Sequence, residues 1–224
     1  MNKVCCRNGL VTALLLAAAT VGAGELVYNA GTDFSYTNNP NGVWSYGYTG
    51  TELAGSFTAY PINEAVIDGF GTTHRWLNPA SPTYGDRVPG VWEDPYGTTT
   101  VVTIHPGNNP PDLYSSCRFT APSDGLWAVS LQMTLYDSNT GGADGLLYHN
   151  GSSLWSQSLS YNVPQSHTGT YSLAAGDTLD FMIGPGAAYY SDSTRVFAEV
   201  QLVPEPTMFA LGAMAITLVW RRRP

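Results

Sequence analysis

Glycine and proline punctuate this chain more densely than long helices tolerate: 24 glycines and 15 prolines in 224 residues. Proline locks φ and lacks a backbone donor, and glycine adds backbone entropy, so either one interrupts a helix interior. The segments between them are short and alternate with a period of two. In residues 195–202 (RVFAEVQL), Val196, Ala198 and Val200 share one face, and Phe197, Glu199 and Gln201 the other. Similar runs cover residues 43–48, 99–105, 114–120, 126–136, 146–149, 153–157, 170–173 and 178–183. Asn150-Gly151 separates two of them and is the dipeptide of a two-residue hairpin. Trp44, Tyr46 and Tyr48 project from one face of the first run, which is either a core side or a platform for sugars. Many short strands with frequent turns predict an all-β fold, a single β-sandwich. Residues 62–98 fit less well. Pro79, Pro82, Pro89 and Pro95 interrupt a stretch holding Trp76, Tyr84, Trp92 and Tyr96, which predicts a long ordered loop with at most one short strand.

The two ends differ from this middle. Lys3 and Arg7 precede an apolar run over residues 9–21, and Val21-Gly22-Ala23 supplies the small residues of a cleavage site. This is the pattern of a secretory signal peptide, residues 1–23, cut after Ala23 by a signal peptidase. At the other end, Pro204 and Pro206 stop any regular element, residues 208–220 carry no charge, and Arg221, Arg222 and Arg223 follow. That apolar segment is shorter than the roughly 20 residues of a comfortable membrane span. The domains predicted are therefore the signal peptide, a sandwich over residues 24–203, and a tail over residues 204–224.

Val203-Pro204-Glu205-Pro206, the short apolar segment and the arginine cluster together resemble the PEP-CTERM sorting signal of Gram-negative bacteria. The resemblance implies a sorting motif formed by Pro204, Glu205, Pro206, Arg221, Arg222 and Arg223. It also implies a short C-terminal transmembrane helix that meets the membrane only transiently. An exosortase-type membrane protease then removes it, and the protein reaches the outer surface or the extracellular matrix. Two internal stretches resemble jelly-roll modules of secreted bacterial proteins. One runs from Arg118 to Trp127 (RFTAPSDGLW) and the other from Tyr171 to Phe181 (YSLAAGDTLDF). That resemblance implies a jelly-roll, carbohydrate-binding-module-like domain, with the second stretch a Gly-Asp turn between paired strands.

With both ends set aside, four arginines (Arg75, Arg87, Arg118 and Arg195) and no lysine face sixteen acids, a net charge of −12 against −8 for the whole chain. Such a surface repels phosphate backbones and excludes nucleic acid as a partner. Cys5 and Cys6 belong to the signal, so Cys117 is left alone and forms no internal disulfide.

Catalytic signatures are missing. His74, His105, His149 and His167 lack the spacing of a helical zinc site, and no Gly-x-Ser-x-Gly elbow is present. Glu52, Glu64, Asp68, Glu93, Asp94 and Glu199 offer carboxylate pairs for glycoside hydrolysis, but a sequence this acidic offers pairs by chance. The chain reads as a non-enzyme without a cofactor. Asp137, Asp144 and Asp192 near strand ends suit either calcium or the ordinary turn role of aspartate. Aromatic rings stack on sugars, which marks Tyr189, Tyr190, Trp92 and Trp76 as candidate glycan contacts. Three functions stand: an exported structural or adhesive protein of a polysaccharide matrix, a non-catalytic carbohydrate-binding module, or a secreted glycan-active enzyme. Mass spectrometry of surface material from the host is expected to show a chain beginning at Gly24 and lacking residues 208–224; an intact tail there would refute the sorting signal.

Overall fold

The computed structural model describes residues 26–50, 57–68, 71–107, 113–138 and 141–204. Ala23, Glu205, Pro206 and Arg221, Arg222 and Arg223 lie outside the described residues. Within them the regular elements are β-strands and one 3-10 turn at Tyr84–Asp86. Among the described residues no helix is long and apolar enough to cross a membrane. The first half holds β1 (Val27–Asn29), β2 (Trp44–Thr49), β3 (Thr58–Ala59), β4 (Ile62–Asp68), β5 (Gly71–Leu77), β6 (Gly90–Tyr96) and β7 (Thr99–His105). The second half holds β8 (Tyr114–Thr120), β9 (Gly125–Leu135), β10 (Ala143–His149), β11 (Ser152–Leu159), β12 (Gln165–Leu173), β13 (Thr178–Gly184) and β14 (Thr194–Leu202).

The larger sheet runs β12-β9-β14-β7-β6-β5-β4, with β1 added to β14, and the smaller runs β11-β10-β13-β8-β2-β3. From β7 to β14 the chain interleaves the two sheets as 7-14-9-12 and 8-13-10-11, which is the jelly-roll winding. Strands β7 and β8 occupy the residues the alternation predicts, and β10 and β11 form the Asn150-Gly151 hairpin. Asn150 and Gly151 both take positive φ, 47° and 81°, as a type I′ turn requires.

Two expectations are corrected. The Gly-Asp turn does not join paired strands: β12 pairs β9, whereas β13 pairs β8 and β10, so Ala174–Asp177 bridges from one sheet to the other. Local turn chemistry is the same in a hairpin and in such a bridge; the pairing is decided by distant strands. Residues 62–98 are also not a long loop. β4, β5 and β6 extend the larger sheet, because Pro79, Pro82 and Pro89 all fall in the one connection between β5 and β6. Pro95 lies in β6 close to the turn into β7.

The core fills from alternating positions. Trp127, Val129, Leu131, Met133 and Leu135 of β9 are buried, as are Val196, Ala198 and Val200 of β14. Facing them are Trp44 and Tyr46 of β2, Cys117 and Phe119 of β8, and Leu179, Phe181 and Ile183 of β13. Phe119 is the meeting point. Its ring centroid lies 5.5 Å from Trp44, 5.5 Å from Trp127 and 5.6 Å from Tyr28. Trp44 and Tyr46 are thus core residues and not a sugar platform. The Cys117 thiol is buried and unoxidised, and burial pushes its pKa up, which removes thiolate chemistry.

β13, central in the smaller sheet, is covered on both faces. On its outward side Asp180 is fully buried opposite Arg118. The Arg118 guanidinium reaches it as a fork, Nε to Oδ1 at 2.6 Å and Nη2 to Oδ2 at 2.9 Å, and lies 4.1 Å over the Phe57 ring. Burial raises the Asp180 carboxyl pKa, and the arginine fork opposes that shift. At the end of β7, buried His105 donates from Nδ1 to the Pro106 carbonyl at 2.6 Å. Its Nε2 accepts the Asp192 amide at 3.3 Å. Both ring nitrogens are therefore committed in the neutral form, and burial lowers the His105 pKa.

Asp180→Ala is expected to cost about 3 kcal/mol in urea denaturation, since it leaves Arg118 half-buried without its carboxylate. The double change Arg118→Met with Asp180→Leu is expected to cost less. For His105 the folded pKa lies below the unfolded value of 6.5. The unfolded chain then binds more protons once pH falls below about 6.5, so the contribution of His105 is complete above that pH and declines beneath it. The thermal midpoint should therefore drop between about pH 7 and about pH 5, and less so in His105→Gln. An equal drop in the variant would assign the loss to other groups.

Candidate functional site

Antiparallel register sets side chains from distant positions in one row across the outward face of the larger sheet. Glu64 faces Arg75, Arg75 faces Trp92, Trp92 faces Thr103, and Thr103 faces Arg195, which in turn faces Thr134. Alternation puts Asp94 and Tyr96 on the same side as Trp92. Above the row lies a cleft of about 590 Å³, lined by Arg75, Trp92, Asp94, Tyr136 and Arg195 with Thr72, Thr73, Glu93 and Pro95.

Arg195 organises the cleft. Its Nε donates to Asp94 Oδ2 at 2.7 Å, and Thr103 Oγ1 donates to the same oxygen at 3.1 Å. Its guanidinium lies 4.4 Å from the Tyr96 ring centre and 4.2 Å from that of Tyr136. Two tyrosine faces and one carboxylate thus hold a planar cation in one place. Burial raises the Tyr136 pKa, so its hydroxyl stays a neutral donor. Across the row the Arg75 guanidinium covers Trp92 at 4.1 Å. Arg87 pairs with Glu64 at 3.0 Å, and the Tyr84 hydroxyl donates to the same carboxylate. Asp94 and Glu64 are thus each paired with an arginine.

A second hollow, about 340 Å³, lies on the same face over β12, β9 and β14. Its floor is small, from Ala128, Ser130, Thr168 and Thr170, and Glu199 and Gln201 edge it. Arg195, Phe197, Glu199 and Gln201 alternate outward along β14, so that strand joins the two hollows.

The glycan contacts expected from the sequence scatter. Trp92 lines the cleft but is 4% exposed beneath Arg75. Trp76 is 7% exposed, donates to the Ser35 carbonyl at 2.7 Å and stacks on Tyr46, so it is a core residue whose ring is closed to a ligand. Tyr189 and Tyr190 sit in the β13–β14 connection, outside the cleft lining. Tyr190 is exposed, while the Tyr189 hydroxyl donates to Asp86 at 3.2 Å. The three aspartates considered for calcium have protein partners. Asp137 accepts the Ser193 amide at 2.8 Å, Asp144 accepts the Ser158 hydroxyl at 3.4 Å, and Asp192 is fully buried. Among the described residues no group of three or more His, Cys, Asp or Glu is placed to hold a metal ion. Arg75, Tyr96, Tyr136 and Arg195 went unmarked in the sequence. Their one signal is scarcity, since two of the only four arginines of residues 24–203 meet here.

No protein-family model and no curated protein sequence matches the chain. Among solved structures, it is similar to the CBM22-1 xylan-binding domain from Paenibacillus barcinonensis Xyn10C. The two are 9% identical, with 80% of this chain and 94% of that one covered and a TM-score of 0.40. A family 35 carbohydrate binding module from Clostridium thermocellum is 14% identical over 49% of this chain and 86% of that one, TM-score 0.30. Rabbit GITRL is 16% identical over 41% and 74%, TM-score 0.33. Likeness at this level carries no argument about ligand; the site stands on its own geometry.

Proposed function

We propose that this is an exported, non-catalytic glycan-binding protein of the Gram-negative cell surface or extracellular matrix, and that the Arg195 cleft is its sugar site. One observation carries the reading: the stack of Tyr96, Arg195 and Tyr136 beside Asp94, in an open cleft on a rigid sheet. A sugar ring presents apolar C–H faces and a rim of hydroxyls. Exposed Tyr96 supplies a flat apolar surface, and Arg195 and Asp94 supply fixed donors and acceptors for the rim.

The exit of the chain agrees with display. β14 ends at Leu202, the Val203 amide closes on the Leu126 carbonyl at 2.8 Å, and Pro204 is exposed. Arg195 lies near the opposite end of β14, roughly 23 Å away at about 3.3 Å per residue. A chain held just beyond Pro204 therefore turns the cleft away from the holder. The signal peptidase and exosortase steps belong to this proposal, resting on the sequence of residues 1–23 and 204–224.

A glycan array probed with the secreted protein, with and without calcium, is expected to return a polysaccharide ligand. Tyr96→Ala should weaken that binding about three- to tenfold, the worth of one ring contact, and Arg195→Ala should weaken it further. No glycan bound, or both variants binding as the parent does, would remove the cleft from this role.

A further inference from the structure

β12 pairs β9 on one side, and among the described residues no strand lies on its other side. Open edges template pairing with another chain, and folds blunt them by shortness, charge, proline or bulges. The other one-sided strands here are blunted. β1 is three residues long and β3 two. β4 carries Glu64. β11 is bulged: Leu147 faces Trp155 while Tyr148 faces Ser153, which makes Leu154 the extra residue. β12 has none of these protections. Its nine residues, QSHTGTYSL, include no acid, lysine, arginine or proline, and its register with β9 is unbroken from Gln165 to Leu173.

We propose that β12 is an association edge whose partner is β12 of a second copy of this chain, antiparallel about a two-fold axis at Gly169. Charge selects a second copy. Residues 145–176 contain no Asp, Glu, Lys or Arg, in a chain of net charge −8 whose acids lie elsewhere. Two copies repel through their acidic surfaces and can meet here without opposing like charges. The sequence of the strand selects the register. About Gly169, Thr168 faces Thr170 of the second copy and Ser166 faces Ser172, all four being exposed outward residues. Such hydroxyl pairs are favourable across antiparallel strands. The inward side is already occupied, since His167 Nε2 lies 2.6 Å from the Tyr171 hydroxyl across Gly169. The product is one sheet running through both copies, closed by symmetry and with both β12 edges consumed.

The test is sedimentation velocity of the secreted protein beside two double variants. Thr168→Lys with Thr170→Lys sets lysine opposite lysine twice in this register, and Thr168→Lys with Thr170→Glu sets lysine opposite glutamate twice. The parent is expected to dimerise. The double-lysine variant should dimerise about tenfold more weakly, and the lysine–glutamate variant as the parent does, with the three sharing a thermal midpoint when diluted to monomers. The proposal is overturned by a monomeric parent, including one whose β12 amides resist hydrogen exchange because another segment of its own chain covers them. It is equally overturned if the double-lysine variant dimerises like the parent, or if both variants are weakened alike.

Discussion

The contact on which the rest of the structure depends is the aromatic joint around Phe119. Trp44 and Phe119 belong to the smaller sheet, Trp127 and Tyr28 to the larger, and the rings meet tilted or edge to face. Each such pair adds about 0.5–1.5 kcal/mol beyond the area it buries. More important is geometry, because large flat rings allow few relative placements of the two sheets. With the joint fixed, the outward faces are free to carry polar chemistry, and the Arg195 row is built there at no cost to the core.

How much of this was legible depends on the distance over which each feature is decided. Strands β7 and β8 were readable to the residue, because Thr99–His105 and Tyr114–Thr120 end at Pro106 and Ala121-Pro122. The Asn150-Gly151 hairpin was equally local. Strands β4 and β5 escaped notice since they hold mixed polar residues, INEAVID and GTTHRWL, and owe their existence to pairing with each other and with β6. The Gly-Asp turn was misjudged for the same reason. Of the cleft only the β6 residues Trp92, Glu93 and Asp94 were legible, as its row draws on β5, β6, β7 and β14, and only register brings Arg75 and Arg195 to one surface.

The arginines show a common logic. Arg75 lies over Trp92, Arg87 over Tyr84, Arg118 over Phe57, and Arg195 between Tyr96 and Tyr136. No lysine occurs in residues 24–203. Guanidinium is planar and weakly hydrated, so it stacks where an ammonium would stay in water. In an acidic domain each cation is thereby immobilised, and Arg87, Arg118 and Arg195 each also neutralise a carboxylate.

The pairing of β14 has a mechanical consequence. It is bound to β9 along all nine residues from Thr194 to Leu202, while β7 and β1 share its other edge. Ladder hydrogen bonds lie perpendicular to the strands. A pull applied at Val203 therefore runs along the strand axis and loads these rungs side by side, in shear, instead of opening them one at a time. A chain gripped just after Val203 is held by a strand paired to β9 along its whole length, so a pull there meets the whole ladder at once.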